Sequence, residues 1–340
     1  MFISNHVNPR ALSASDDDFT LLQHLHDRHL RLEGWRRNVG GLVALNLAGS
    51  PAPSRGSTPH SLVVLSWNLW IGYGHLRDVV SRIRNGDLLA QGASPDAPLV
   101  VLAQEAYRHD DSLHAGSRRH CGHIATGRRV REREDIVETA HLLGMNLRYA
   151  PSMRNGALQS DRGNAILSTL PLSDTSALEL PHLLQRRVAV SANVTLGHHK
   201  VRVVSAHLDP RGPAGYRLLG GAGRSAQAAH LLEGLGSGTI ILGADLNVVR
   251  GRYEGAWQLL RNAGFTMGVP SVLPTWRHTY HKVPRLVIDY LLVRDELRIV
   301  DAARVYRLDE DPADRGPLVF GSDHHPLLAR FDFTTIGAPQ

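Results

Sequence analysis

The chain has 340 residues, long enough for one large α/β domain or two small ones. Its hydrophobic fraction of 42% and charged fraction of 21% are those of an ordinary globular protein. No run reaches the roughly 18 apolar residues of a membrane-spanning helix, residues 42–48 being the nearest and far too short. The net charge of +6 is permissive for a polyanionic partner without being diagnostic. Of the 38 basic residues only Lys200 and Lys282 are lysines, leaving 36 arginines, a skew that genome composition explains as readily as phosphate binding. The single Cys121 excludes an internal disulfide, and Met1–His6 lack the basic start and apolar run of a secretory signal. A reducing cytoplasm is the expected compartment.

In chain order, residues 1–20 are polar and aperiodic, and Leu21 to Trp35 carries leucines at spacings that predict a short amphipathic helix. Residues 50–60 form a Pro/Ser/Gly linker. The expected organisation is an N-terminal extension over 1–60, a catalytic domain over 61–333 and a tail over 334–340. Within the domain, Leu62–Trp67 predicts a buried strand ending in Asn68, Leu76–Ile83 a helix, and Leu99–Ala103 a strand ending in Gln104-Glu105. Residues 108–131 are Arg- and His-rich and read as an exposed loop beside Glu105, leading into a helix at about 132–143. Short β-type segments follow at 147–150, 164–168, 177–180, 188–195 and 201–206, the last ending in His207. A helix near 224–235 precedes the run 239–242, which leads into Gly243-Ala244-Asp245-Leu246-Asn247, and a further helix spans about 253–263. Strands at 287–293, 299–307 and 327–333 complete the pattern. Consecutive strands without intervening helices disfavour a purely parallel doubly wound sheet. They favour an α/β arrangement of two mixed sheets packed on each other with helices outside.

The polar residues that close these apolar runs suit phosphoester hydrolysis. The reaction needs a cation on the anionic oxygens, a group that orients or deprotonates water, and stabilisation of the developing charge. Mg²⁺ prefers oxygen ligands and usually takes one or two carboxylates. Glu105 and Asp323 are the carboxylates best placed for that work, and the amides of Asn68 and Asn247 can bind metal water or phosphate without adding negative charge. Asp245 can hold and polarise water, His207 can donate to the developing oxyanion, and His324 can exchange a proton near neutrality. Asp289 can fix the tautomer of an imidazole. Singly, each has a purely structural reading: Glu105 as a salt-bridge residue, Asn68 as a turn former, Asp245 to Asn247 as an Asx loop, His207 as a satisfied core histidine. Jointly, five strand ends bearing this set are an improbable accident.

The set resembles the endonuclease/exonuclease/phosphatase superfamily of Mg²⁺-dependent phosphoesterases over about four-fifths of the chain, Ser61 to Phe333. Trp67-Asn68 is similar to its first motif and Gln104-Glu105 to its metal glutamate. Gly163-Asn164-Ala165-Ile166 resembles its central strand, and Ser205-Ala206-His207 its histidine strand, followed by Arg224 and Gln227. Ala244-Asp245-Leu246-Asn247 resembles its G-D-x-N element with Ala in place of Gly. Pro274-Thr275-Trp276 with Ile288-Asp289-Tyr290 resembles the penultimate motif, and Ser322-Asp323-His324 the last.

The resemblance implies a four-layer α/β sandwich with the site at one end of the packed sheets. It implies metal binding by Glu105, Asp323 and Asn68, and phosphate binding by Asn68, Asn164 and Asn247. Asp245 and Asn247 would orient water and phosphate, His207 would assist the transition state, and Asp289 would support His324, with Asp245 and His324 both open as the base. The expected cofactor is Mg²⁺, with Mn²⁺ as substitute. The expected substrate is a phosphodiester in nucleic acid, DNA first, and the alternative is a small or lipid phosphoester such as an inositol phosphate or phospholipid head group.

Overall fold

A computed structural model describes residues 19–24, 29–47, 60–88, 95–113, 132–156, 158–212, 220–267, 277–311 and 313–334. Two mixed sheets pack face to face. The seven-stranded sheet runs, edge to edge, β12 (Val300–Arg307), β13 (Leu327–Phe333), β3 (Ser61–Asn68), β4 (Leu99–His109), β6 (Ser160–Ser168), β5 (Asn146–Arg154) and β2 (Val43–Leu45). The six-stranded sheet runs β1 (Thr20–Leu22), β7 (Ser173–Leu180), β8 (Arg187–Leu196), β9 (His199–His207), β10 (Thr239–Asp245) and β11 (Asp289–Asp295).

The two-residue alternation of side chains along each strand builds the layers. Leu62 and Val64 of β3 face the other sheet and share a core with Val190, Val203 and Ile241. Their neighbours Val63, Leu65 and Trp67 face outward and are covered by Leu76, Val79, Val80 and Ile83 of α2 (Leu76–Arg84), with Ile136 and Ala140 of α3 (Ile136–Leu143). On the far side, Val204, Ile240 and Leu242 are covered by Leu231 and Leu235 of α4 (Gly221–Leu235) and Trp257 and Leu260 of α5 (Gly255–Asn262). Strands buried on both faces read as unbroken apolar runs, which is why they were visible in the sequence. The result is the four-layer α/β sandwich. Among the described residues no helix is long and apolar enough to cross a membrane.

Three local expectations need correction. The helix expected over Leu21–Trp35 is instead a strand followed by a later helix. Thr20–Leu22 pairs in parallel with Ser176–Leu178, and α1 (Leu30–Asn38) buries only Leu32 and Trp35. A strand partner for Leu21 overrides its helical spacing, because pairing satisfies backbone groups that a marginal helix leaves frayed. The segment ahead of Ser61 therefore supplies the outer strand of each sheet, β1 to one and β2 to the other. The helix expected from about residue 132 begins only at Ile136, because the Asp135 carboxylate caps it, accepting from the Val137 and Glu138 amides at 2.8 and 3.0 Å. The Arg/His-rich stretch does not open as a solvated loop. Arg108 lies within β4, buried and ion-paired to Asp161, whereas residues 114–131 lie outside the described residues. So do the linker residues 51–59, the Pro274-Thr275-Trp276 motif and the tail from 335.

The topology gathers one end of both sheets. β3 and β4 are parallel, and so are β9 and β10, so Asn68, Glu105, His207 and Asp245 all lie toward the same end. β11 is antiparallel to β10 and starts where β10 finishes, in the register Asp245↔Asp289. The chain then returns through residues 321–326 to β13, antiparallel to β3, which carries the Asp323-His324 loop over the same end.

Candidate active site

Asp245 is the centre of the cluster. Register places it between His207 of β9 and Asp289 of β11, and residues paired across strands share a face. Its Oδ2 accepts from Asn68 Nδ2 of the other sheet at 2.9 Å and lies 3.4 Å from His207 Nε2. Its Oδ1 accepts from the Asn247 backbone N–H at 3.0 Å. That turn needs Asn247 in the left-handed region, at φ 52°, a conformation asparagine tolerates better than most residues. The Asn247 side chain donates to the Leu208 carbonyl at 3.1 Å, which locks the turn to the end of β9. Close packing of the sheets behind the site has its own requirement. A Cβ on Gly243 would lie 2.5 Å from Ser66 Oγ, so only glycine fits there.

His324 faces Asp245 from the C-terminal loop. Its Nδ1 lies 2.8 and 3.0 Å from the two Asp289 oxygens, so that nitrogen carries a proton and Nε2 is turned toward the cluster. Nε2 is 4.0 Å from Asp245 Oδ2 and 3.8 Å from Asp323 Oδ1. The loop is tied down at several points. Ser322 Oγ donates to the Asn68 carbonyl at 2.7 Å and Trp67 Nε1 donates to the His324 carbonyl at 2.8 Å, while Thr279 Oγ1 accepts from the Ile288 and Asp289 amides and so fixes the start of β11. Asn68, His207, Asp245, Asn247, Asp289, Asp323 and His324 are all buried.

This crowding sets the charges. Burial and the nearby Asp289 carboxylate push Asp245 up to about 7. Burial pulls His324 down, but the hydrogen-bonded Asp289 more than offsets it and brings His324 up to about 10. Burial, with the Arg187, His324 and Arg162 charges, holds His207 well below the usual imidazole range. At neutral pH the cluster contains a neutral His207, an imidazolium at His324 and an Asp245 near its midpoint.

Glu105 sits on a bulge of β4 between Ala103 and Ala106, with φ at 50°. For a non-glycine residue this conformation costs about 1–3 kcal/mol. The bulge turns it into a small cleft that it lines with Met153, Arg162, Asn164, Arg187 and His207. Asn164 Nδ2 donates to the Val188 carbonyl at 2.9 Å, so part of its amide is spent on holding the sheets together. Arg224 and Gln227 stand behind the cleft. Arg224 pairs with Glu254 at 2.8 and 2.9 Å, and Gln227 accepts from the Asp209 amide at 2.9 Å. Asp209 in turn holds Arg187 at 3.3 Å.

Three basic residues at the site escaped sequence reasoning. Arg162 and Arg187 were hidden among 36 arginines, although Arg162 lies within β6 and Arg187 opens β8. Lys282, 2.6 Å from Asp323 Oδ2 and 3.7 Å from the centre of the Trp70 ring, had a usable signal as one of only two lysines.

Two groups of His and acidic side chains among the described residues have donor atoms close enough to hold a metal: Asp245, Asp289 and His324, and, apart from them, His278, His281, Asp314 and His325. Glu105 belongs to neither. The Asp323 Oδ1 atom is buried without a hydrogen-bond partner, and Glu105 and Asn68 offer further oxygen donors at the same end of the sheets. This donor chemistry fits a hard divalent ion.

The geometry is that of a phosphoesterase fold with its polar residues at the sheet ends. The model of the Endonuclease/Exonuclease/phosphatase family matches residues 65–324, and the chain belongs to that family. Solved structures share the fold. An endonuclease/exonuclease/phosphatase from Beutenbergia cavernae DSM 12333 is 17% identical with a TM-score of 0.54, covering 81% of this chain and 72% of that one. A family protein from Leptotrichia buccalis C-1013-b is 13% identical with a TM-score of 0.53, covering 81% and 100%. The human Nocturnin catalytic domain with bound sulfate is 15% identical with a TM-score of 0.51, covering 86% and 97%. A search of curated protein sequences returns no match.

Proposed function

We propose that the chain is a divalent-metal-dependent phosphodiesterase acting on nucleic acid, with DNA as the first substrate to test. The observation that carries the reading is the Asp245 carboxylate, held by Asn68 and Asn247 and facing an Asp289-backed imidazolium at His324. Asp245, with a pKa brought to about 7, accepts the proton of an attacking water. Two hydrogen bonds keep that carboxylate aimed, so little reorganisation is needed as it takes the proton.

The 4.0 Å gap between Asp245 and His324 is too short for groups working at opposite ends of an in-line displacement. His324 therefore acts on the same side as the water, its Nε2–H donating to a non-bridging phosphoryl oxygen. Neutral His207 donates a hydrogen bond to the same developing charge. Arg162 and Arg187 add fixed positive charge at the cleft beside Glu105. Water oxygen bonds to phosphorus, its proton passes to Asp245, and the ester P–O bond breaks. Glu105, Asp323 and Asn68 are the residues to hold Mg²⁺, or Mn²⁺ in its place. When bound, that ion supplies positive charge to the phosphate oxygens and to the leaving alkoxide.

The volume of the cleft beside Glu105 is about 10 Å³, about that of a single water, so it has no room to enclose a small molecule. A substrate that lies across the surface with one phosphate over the cleft suits that shape, and the net charge of +6 suits a polymer of phosphates. The test is EDTA-stripped protein on supercoiled plasmid, with and without millimolar Mg²⁺, with Asp245→Asn alongside. Mg²⁺-dependent nicking that disappears in the variant is the expected result. Cleavage of inositol phosphates or phospholipid head groups without nicking of DNA or RNA would overturn the substrate, and no turnover of any phosphoester would overturn the reading.

A further inference from the structure

The second His-rich group lies on the other side of the C-terminal loop from Asp245. Residues 279–281 run alongside 323–325, with the His281 N–H donating to the Asp323 carbonyl and the His325 N–H to the Thr279 carbonyl, both at 2.8 Å. Successive side chains of extended backbone point to opposite faces. His324 therefore faces Asp289, while His325 points away into a cavity of about 270 Å³ that it lines with His281, Asp309 and Asp314.

There His325 Nε2 lies 3.1 Å from His281 Nδ1 and 3.7 Å from Asp314 Oδ1. His281 Nδ1 is 3.1 Å from Asp314 Oδ1, and His278 Nε2 is 3.2 Å from Asp314 Oδ2. One atom from each residue falls within 4.8 Å of all the others.

The protonation pattern is what makes this more than a polar cluster. The His281 Nε2 atom is 2.6 Å from the Gly316 carbonyl, and His325 Nδ1 is 3.2 Å from the Leu308 carbonyl and 3.0 Å from an Asp309 oxygen. Every one of those partners is an acceptor, so in each neutral ring that outer nitrogen carries the proton. Two bare nitrogen lone pairs then face each other at 3.1 Å, which is repulsive unless a positive charge lies between them. A shared proton would relieve that pair alone. Yet His278 Nε2 and Asp314 Oδ1 are also buried and, despite the short distances, make no hydrogen bond. Three of the donors lie 3.1–3.7 Å apart, and His278 offers a fourth within 4.8 Å of them, close to the separation of about 3.3 Å between ligands of a tetrahedral Zn²⁺ centre.

We infer that His278, His281, Asp314 and His325 form a Zn²⁺ site, separate from the residues assigned to Mg²⁺. The remaining features fit. Asp309 and two backbone carbonyls orient the rings from behind, as partners outside the ligand shell do in zinc sites. Arg285, 3.1 Å from Asp314 Oδ2, holds the carboxylate while leaving Oδ1 free. The 270 Å³ cavity is an entry path for the ion. With four protein donors the site has no open position, so its role is to clasp residues 278–281 to residues 314–325. That clasp fixes Lys282 and Asp323, which lie next to its ligands.

The test uses the full chain, equilibrated with Zn²⁺ in millimolar Mg²⁺, desalted and assayed by elemental analysis, with Co²⁺ loading read in parallel by visible absorption. The expected result is one equivalent of retained Zn²⁺ and the intense d–d bands of tetrahedral Co²⁺. His325→Gln should weaken Zn²⁺ binding by more than about 100-fold, and Asp309→Asn by about 10–100-fold, in chelator competition. Retention of under about a tenth of an equivalent by wild type overturns the site. So does wild-type affinity in His325→Gln, or octahedral Co²⁺ spectra. The wild-type readings stand whether or not a variant folds, and none depends on turnover.

Discussion

Replacing Asp289 by Asn keeps the shape of the side chain and removes the charge that holds His324 protonated. His324 stands at about 10 in the native protein against an ordinary imidazole value of 6.5. That rise of about 3.5 units corresponds to about 5 kcal/mol favouring the imidazolium. Burial acts in the opposite direction, and only the smaller contributions of Asp323 and Asp245 remain to oppose it, so without Asp289 the group should fall back toward the ordinary imidazole value. For a group at the ordinary 6.5, the protonated fraction at pH 8 would fall from nearly complete to about 3%, a loss of about 30-fold in kcat/KM from protonation alone. Asp289 is also the second-largest cause of the raised Asp245 value, so that limb should move to lower pH as well. The whole pH–rate profile should therefore shift toward acid, with activity partly recovered near pH 6. The assay is phosphodiester hydrolysis from pH 5 to 10.5, paired with NMR titration of the His324 ring. An alkaline limb within half a unit of wild type would refute the argument that Asp289 sets the charge on His324.

Four further outcomes follow from the same geometry. In the wild type, kcat/KM should fall below about pH 7 as Asp245 gains a proton, and again above about pH 10 as His324 loses one; a single limb near 4 would exclude Asp245 as proton acceptor. Asp245→Asn should lower kcat by about 10²–10⁴ while leaving KM within about threefold, because the proton acceptor is lost while the side-chain shape and one of its two accepted hydrogen bonds are kept. The same variant should be more stable than wild type in EDTA at pH 8, by about 1–3 kcal/mol in urea denaturation after discounting for relaxation around the buried group. The sign follows from a carboxyl whose folded value is raised: the native state loses stability as pH climbs from about 4 to 7, so the gain in Asp245→Asn should vanish near pH 4. Gly243→Ala should destabilise by about 1–3 kcal/mol, since its methyl would meet Ser66 and Leu102 where the two sheets touch; unchanged stability would mean that the sheets are not held that closely.

Much of this site is legible in the sequence because polar residues at the ends of apolar runs are conspicuous. Asn68, His207 and Asp245 each close a strand that carries an apolar run, and Asp289 opens one. What periodicity does not carry is pairing. β1 and β2 are three residues long, too short to show alternation, and their identity as strands comes from the partners they meet, β7 and β5. Arg108 looks like the start of a charged loop until Asp161, more than fifty residues away, is brought beside it. The Zn²⁺ ligands are spread over 278–325 in irregular backbone, where no period marks a face and where 20 histidines in the chain blunt the signal of any one pair.

The return of β13 to pair with β3 makes the seven-stranded sheet discontinuous in sequence. Ser66 and Leu327 are partners, so strands from the first and last thirds of the chain must meet before that sheet is closed. Until they do, β3 is an unpaired edge bearing Leu62, Val64 and Leu65, a surface that invites association with other chains. A single cut between β11 and β13 should accordingly produce aggregation as well as inactivity. Engineered fragments would regain a closed sheet only when residues 321–333 are supplied as a complementing strand.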